Sequence, residues 1–561
     1  MRQIYVKEFG IMPGDEKETT LKLRKMLQEI RKEEKLEIRF EKGIYHFYPD
    51  YAGEKLLYIS NHDEDTIKKV AFDLSGMKQV KISGTDTQFL FHTDILPFHI
   101  DRCREICIEG ITIDYARTGY SEGKIVKVTD KKMLLEINRE EYPYRIIHGN
   151  IFFEEENGLA ELYCGCLEMD ARRCAPVYRG RDISFNKPYP SSYGATFREE
   201  GENLVEISLT GGQKFPETSK SGNILILRHH WRTHPCFYLT DSADVTLRHI
   251  TIYHCTGMAV ISQFTKNITI EQVDIRRHPV KKRMFTATAD GFHFVYAGGK
   301  IQIKDCLVEN QLDDPVNIHG IYGRIHKVLN KKEVIVELVE GMQKGVKLGQ
   351  PGELFGIIDN RTMLEKERAE VCEVTMLNKD FQHIVFHDEM ESLTPGFVVE
   401  NKSYVPDVLV EGCTFRNNRA RGLLLTTAGQ VIVRKNRFET PGAAILIEGD
   451  SNYWFESGAT KYILLEENEF INCAYVPQWG SAPIQVSPSA GIWEEGQRYH
   501  QYLEVRKNLF RCFDNRLVYA VNLETLIFQD NKIEKTDQFP PIAGEAFKLD
   551  GVLKFQTDYY G

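Results

Sequence analysis

Residues 407–418 read DVLVEGCTFRNN and residues 430–440 read QVIVRKNRFET, the second starting 23 positions after the first. Each alternates apolar and polar residues over four or five positions, turns at a small or polar residue, then alternates again. That is the period-2 signature of two short strands joined by a tight corner. The unit recurs at Arg104 (REICIEGITIDY), Asp244 (DVTLRHITIYHC), Asn267 (NITIEQVDI), Lys300 (KIQIKDCLVEN), Lys461 (KYILLEENEFINC), Gln501 (QYLEVRKNLFRC) and Glu524 (ETLIFQDNKIEK). The steps from Asp244 to Asn267 and from Gln501 to Glu524 are again 23 residues, and longer steps read as the same unit with a loop inserted. One unit cannot bury its apolar face alone, whereas stacked coils can. The pattern predicts an all-β chain folded as a right-handed parallel β-helix. The LxxLxLxxN pattern of leucine-rich repeats is missing. The corner column runs His249, Gln272, Asp305, Gly412, Asn436, Asn468, Asn508 and Asn531. Its asparagines are expected in the left-handed conformation, which Asn tolerates.

Outward from the repeats, Leu23, Met26, Leu27 and Ile30 fall at helical spacing and predict a short N-terminal capping helix that covers the first coil. Two long stretches interrupt the coils. They begin alike: GKIVKVTDKK from Gly123 and GRIHKVLNKK from Gly323 agree at six of ten positions. Both continue as alternating strands and read as two small β-barrel or β-sandwich modules. The expected organisation is therefore a cap with first coils over 1–116 and an inserted module over 117–225. Coils follow over 226–321, a second module over 322–402 and C-terminal coils over 403–561. Such modules commonly wall a cleft, and their exposure also suits a homodimer.

Composition narrows the partners. The 561 residues carry a formal net charge of −10, which disfavours nucleic acid and anionic membranes and favours a neutral substrate. No apolar run reaches the length of a membrane span. The N-terminal MRQIYVKEFG has no basic-then-apolar export pattern. The expected location is cytoplasmic for the chain as it stands, or secreted or periplasmic if a leader has been removed. Twelve cysteines are scattered without zinc-site pairing, Cys164 and Cys166 included, and read as buried free thiols.

The chemistry concentrates in TATADGFHF from Thr286 and QLDDPVNIHG from Gln311. Asp290 and Asp313 are 23 residues apart, one coil, so Asp290 should sit beside Asp313 and Asp314 on the next rung, about 4.8 Å away. Crowded carboxylates raise at least one pKa, and a protonated acid beside an ionised base is what glycosidic cleavage needs. Inverting enzymes hold the pair about 6.5–9.5 Å apart and retaining ones about 5–5.5 Å, and adjacent rungs suit either. Neighbours on a regular strand face opposite ways, so Asp313 and Asp314 share a groove only if the backbone kinks, as Pro315 permits. An acidic solenoid face and a calcium site are the competing readings.

At these residues the chain resembles glycoside hydrolase family 110, the α-1,3-galactosidases. The resemblance rests on ADGFHF, the Asp-Asp-x-x-Asn-x-His-Gly string and GDSNYWFESG from Gly449, and it covers nearly the whole chain. Gly291 and Pro315 stand where the family more often has Ala. The resemblance implies exo-hydrolysis of terminal α-1,3-galactose, from blood-group-B-type or linear Galα1-3Gal glycans, with inversion and without metal or cofactor. It implies Asp313 as general acid, and Asp290 and Asp314 holding and deprotonating the water. A galactose site needs an aromatic platform and polar partners. The candidates are Trp231, Arg232, His293, Asn317, His319, Arg421, Trp454 and Glu456. Another β-helix glycosidase, a polysaccharide lyase and a non-catalytic glycan-binding solenoid are the alternatives.

Overall fold

A computed structural model describes residues 1–14, 18–62, 66–156, 158, 160–162, 165–186, 192–229 and 231–559. Cys164 lies outside them. The repeats form a right-handed parallel β-helix. Asp407–Glu411 pairs in parallel with Gln430–Arg434, with Val408 opposite Val431, which is the 23-residue step. The ladder continues through Tyr462–Glu466, His500–Arg506 and Leu523–Gln529. After each corner a second strand stacks likewise, as Thr414–Arg416 does on Arg437–Glu439. A third parallel sheet closes each coil. It runs through Phe237–Thr240, Val260–Gln263, Phe292–Val295, the start of Val316–Asn330, Leu423–Leu425 and Ile445–Ile447.

The interior is a set of like-on-like columns. Phe415, Phe438, Phe470 and Phe510 stack with centroids 5.3, 5.1 and 4.8 Å apart. Of the expected corners, His249, Gln272, Asp305 and Gly412 are left-handed, whereas the asparagine corners differ by one residue. There the left-handed residues are Lys435, Glu467, Lys507 and Asp530, each just before an asparagine. Asn436, Asn468, Asn508 and Asn531 turn inward instead. Nδ2 of Asn436, Asn468 and Asn508 donates to the Oδ1 of the next at 3.0 Å and to a backbone carbonyl, and Asn531 Nδ2 closes the ladder on Val505 O. A side-chain ladder of this kind needs regular backbone at its own positions, so the left-handed turn falls to the residue before. Cys306 and Cys413 occupy the same inward column, with Cys413 N donating to Asn436 Oδ1. No disulfide joins the cysteines among the described residues.

The helix Thr19–Ile30 caps the first coil with Leu23, Met26, Leu27 and Ile30 all buried. Each such side chain contributes about 1.5–3 kcal/mol over an exposed one. Two antiparallel modules leave the coils. The first runs from Tyr120–Val128 to Ile224–Arg228 around its own core, including Ile125, Leu135, Phe153, Phe197 and Ile207. The second is a closed barrel of six strands: Val316–Asn330, Glu333–Glu337, Phe381–Phe386, Glu365–Met376, Leu354–Ile358 and Val398–Asn401, which returns to the first. Val316–Asn330 does two jobs. Its start lies in the helix wall against Phe292–Val295, and its end opens the barrel.

Candidate active site

The site sits where the third sheet begins its strands. Phe292 pairs with Val316 and His293 with Asn317, a step of 24 residues. The register thus sets Asp290 level with Asp314, one position from the pairing expected of a 23-residue coil. Gly291 N donates to Asp314 O at 2.9 Å. Gly291 suits this place because a Cβ there would lie 2.6 Å from Pro315 O. Residues 311–315 form a bend ahead of the strand, so Asp313 and Asp314 both face the same cavity. One oxygen from each of Asp290, Asp313 and Asp314 lies within 4.8 Å of the others.

Arginines balance this buried charge. Arg232 donates from Nη2 to Asp313 Oδ2 at 2.6 Å and from Nη1 to Asn61 O at 2.9 Å. Arg419 Nη1 lies 3.4 Å from Asp313 Oδ1. Arg421 donates from its backbone N to Asp314 Oδ1 at 2.7 Å and from Nη2 to Oδ2 at 2.6 Å. Guanidinium groups thus engage the Asp313 and Asp314 oxygens, and His293 and the Asp314 backbone N those of Asp290, the atoms a calcium ion would need. Such a trio fits proton chemistry better than cation binding.

The same charges split the three acids. Burial, then Asp313, pushes Asp290 up to about 7. Burial also raises Asp314, which Arg421 partly offsets, leaving it at about 6. For Asp313 burial acts upward but Arg419, Arg232 and Arg421 outweigh it, so its carboxyl lies below the usual range. Three acids within one cavity therefore hold different proton affinities, the condition for acid and base work at one pH.

The cavity is about 460 Å³. Trp231, Arg232, His293, Asn317, Arg421, Trp454 and Glu456 all line it with the three Asp residues. Trp231 stacks under Arg228, 4.4 Å from guanidinium carbon to ring centroid. Asp450 shapes the Trp454 loop by accepting from Trp454 N at 2.6 Å and from Asn452 N at 2.7 Å. Asn317 lines the cavity, and its Oδ1 is buried with no partner among the described residues. Glu456 accepts from Asn61 Nδ2 at 3.1 Å, and burial raises its pKa to about 7. His319 differs from expectation. Its ring stands behind His293, bonded to Gly320 O at 2.7 Å and to His293 at 2.8 Å. Both nitrogens are used, so it has none to offer a sugar.

Sequence reasoning missed Asn61, Arg419, Glu448, Tyr453 and Trp479, which also line the cavity. Trp479 stacks on Arg419 at 4.3 Å. Arg419 stands two residues before Arg421, a spacing that puts both on one side of an extended chain, and that signal was readable. Asn61 comes from the first coils and Trp479 from a loop two coils on, and neither carries a local motif.

Aromatic rings around guanidinium-balanced carboxylates on a β-helix wall define a carbohydrate-active enzyme, a β-helix glycoside hydrolase. Comparison with known proteins agrees. A family profile described as GLAA-B β-barrel domain I matches residues 121–225. The chain is 30% identical over 542 residues to "Alpha-1,3-galactosidase B" of Bacteroides thetaiotaomicron, covering 96% of this chain and 87% of that protein. It is 29% identical over 543 residues to "Alpha-1,3-galactosidase A" of Shewanella woodyi, covering 96% and 87%. Among solved structures, an exopolygalacturonase from Thermotoga maritima overlays with a TM-score of 0.40 at 10% identity, over 98% of this chain and 92% of that one. The chain belongs to the α-1,3-galactosidase family, glycoside hydrolase family 110.

Proposed function

We propose that this protein is an exo-acting α-1,3-galactosidase that removes terminal α-1,3-linked galactose from blood-group-B-type or linear Galα1-3Gal glycans with inversion. The observation that carries the reading is the cluster of Asp290, Asp313 and Asp314 in one cavity, with oxygens within 4.8 Å. Asp313 protonates the glycosidic oxygen, which leaves with the rest of the glycan as its bond to the anomeric carbon of galactose breaks. Water attacks the anomeric carbon from the other face and gives its proton to Asp290 or Asp314. A base whose pKa is raised to about 7, as at Asp290, accepts a proton well and is still ionised in part at neutral pH. Asp313 is held ionised by Arg232, Arg419 and Arg421. Its acid role requires that the substrate come between it and Arg232 and that a proton pass to Asp313 from the shared set. Trp231, Trp454 and Trp479 supply apolar faces for the sugar ring and Asn317 a hydroxyl partner, whereas His293, with both ring nitrogens engaged by Asp290 and His319, has none to offer.

The test is proton NMR of Galα1-3Gal with the purified protein, from the earliest minutes. β-Galactose appearing first supports inversion. α-Galactose first makes one Asp a nucleophile and overturns it. Release from neither Galα1-3Gal nor the fucosylated trisaccharide overturns the activity itself.

A further inference from the structure

Behind the cavity, three side chains line up with no freedom in where their hydrogens go. His319 Nδ1 lies 2.7 Å from Gly320 O. A carbonyl only accepts, so this nitrogen carries the hydrogen. Gly320 is pinned, because it pairs with Ser457 and a Cβ on it would lie 2.4 Å from Ser457 Oγ and 2.7 Å from the Tyr296 ring. Neutral His319 therefore presents a bare Nε2. That atom faces His293 Nε2 at 2.8 Å, with the rings at 90°. Two bare nitrogens would repel, so His293 Nε2 carries the hydrogen and donates. His293 Nδ1 in turn faces Asp290 Oδ2 at 2.6 Å. With Nε2–H fixed, a neutral His293 has a bare Nδ1, and a bare nitrogen against an ionised carboxylate makes no bond. One proton must lie between Asp290 and His293. His293, His319 and Asp290 are all nearly inaccessible, at 1%, 3% and 2% exposure, so water does not relieve the arrangement.

We propose that the Gly320 carbonyl, His319 and His293 form a positioning relay that stores one proton against Asp290 and so sets the pH at which Asp290 takes the proton of the attacking water. The inference rests on the galactosidase reading and deepens it. When the stored proton sits on His293 Nδ1, Asp290 is a carboxylate held by a charged donor. As the water oxygen bonds to the anomeric carbon, its O–H bond breaks and that proton goes to Asp290. The acid loses one proton to the departing oxygen, so the site's proton count is unchanged, and exchange with solvent resets both groups. The charged and titratable groups facing the pair are Asp313, Asp314, Arg232, Arg421, His319, His62 and, 3.5 Å from His319 Nε2, Glu456. Burial drives His293 and His319 below the usual histidine range, which keeps His319 neutral and makes the stored proton a contested one.

The sign of the expected effect follows from the tautomers. In His319→Phe nothing accepts from His293 Nε2, so His293 gives up that hydrogen and holds the ionised Asp290 through a neutral Nδ1–H in place of the charged ring. Losing an adjacent positive charge raises a carboxyl pKa. The acid limb of kcat/KM should move up by about one pH unit. His319→Gln, whose amide can accept from His293 and donate to Gly320 O, should keep the wild-type limb. A limb unmoved in His319→Phe overturns the relay. An inactive wild type would instead overturn the galactosidase reading. The independent check needs no variant activity. Nitrogen-15 spectra of histidine-labelled protein, with the two rings assigned by the variants, should show His319 as the Nδ1–H tautomer and His293 protonated at Nε2. His319 carrying its hydrogen on Nε2 overturns the relay whatever the kinetics show.

Discussion

Asp182, on the first inserted module, accepts from Arg419 Nε at 2.7 Å, and Arg419 Nη1 in turn lies 3.4 Å from Asp313. The module thus reaches the reacting groups through one guanidinium, which Trp479 covers from its face. Asp182→Ala frees Arg419 to swing out. Asp313 then loses part of the positive field that holds it ionised, and its pKa rises toward the usual carboxylate range, which by itself favours the acid form; the expected loss comes from the displaced guanidinium, which no longer fixes that wall of the cavity. We expect kcat to fall about tenfold with little change in fold, checked by kinetics beside a thermal melt. Unchanged kcat would show that the Asp182 contact only docks the module.

The acid and base roles separate by leaving group. Asp313→Asn should lose about 10²- to 10⁴-fold on Galα1-3Gal and much less on an activated aryl galactoside, whose departure needs little protonation. Asp290→Asn and Asp314→Asn should lose activity on both. Equal losses in Asp313→Asn would move the acid role to Asp290 or Asp314, the two members whose carboxyls burial holds up at about 7 and about 6.

How much of this was readable in the sequence varies by element, for physical reasons. The coils were, because burying one face of a strand imposes a period that survives any exchange of apolar residues. Asp290 beside Asp313 and Asp314 was, because one coil of separation in sequence is one rung in space. The register was legible only to one residue. The bend at 311–315 adds a position, so Asp290 stands level with Asp314. The asparagine corners were misread by one for a related reason. Tolerance of the left-handed turn is a weak preference, and a buried Nδ2 that must donate twice is a strong demand. Arg419 beside Asp182, with 237 positions between them, follows from module docking, which no local pattern encodes. The tautomers of His293 and His319 follow only from which atom meets a carbonyl.

The asparagine ladder makes its own prediction about stability. Asn468 Nδ2 donates to Asn508 Oδ1 and to Val433 O, while Asn468 Oδ1 accepts from Asn436. Asn468→Ala leaves partners on both sides buried and unpaired, at a cost of about 1–3 kcal/mol for each such group. Denaturant melts should show a loss in that range or above. Asn468→Asp should be worse, since it adds a buried charge and removes the Nδ2 donor.

Arg421→Lys tests the electrostatics from the side opposite to the histidines. Arg421 meets both oxygens of Asp314 through Nε and Nη2 and adds its backbone N–H. Lysine keeps the charge but has no fork, so part of the stabilisation of ionised Asp314 goes. The carboxyl stands at about 6 with burial pushing it up and Arg421 holding it down. Weakening Arg421 therefore raises it further. Asp314 then ionises only at higher pH, and the acid limb of kcat/KM should move up, as it does in His319→Phe. In a double variant the two shifts should add within one limb if the two carboxylates serve one base function. If each limb shift persists separately in the double variant, as two resolved ionisations, Asp290 and Asp314 act at different steps.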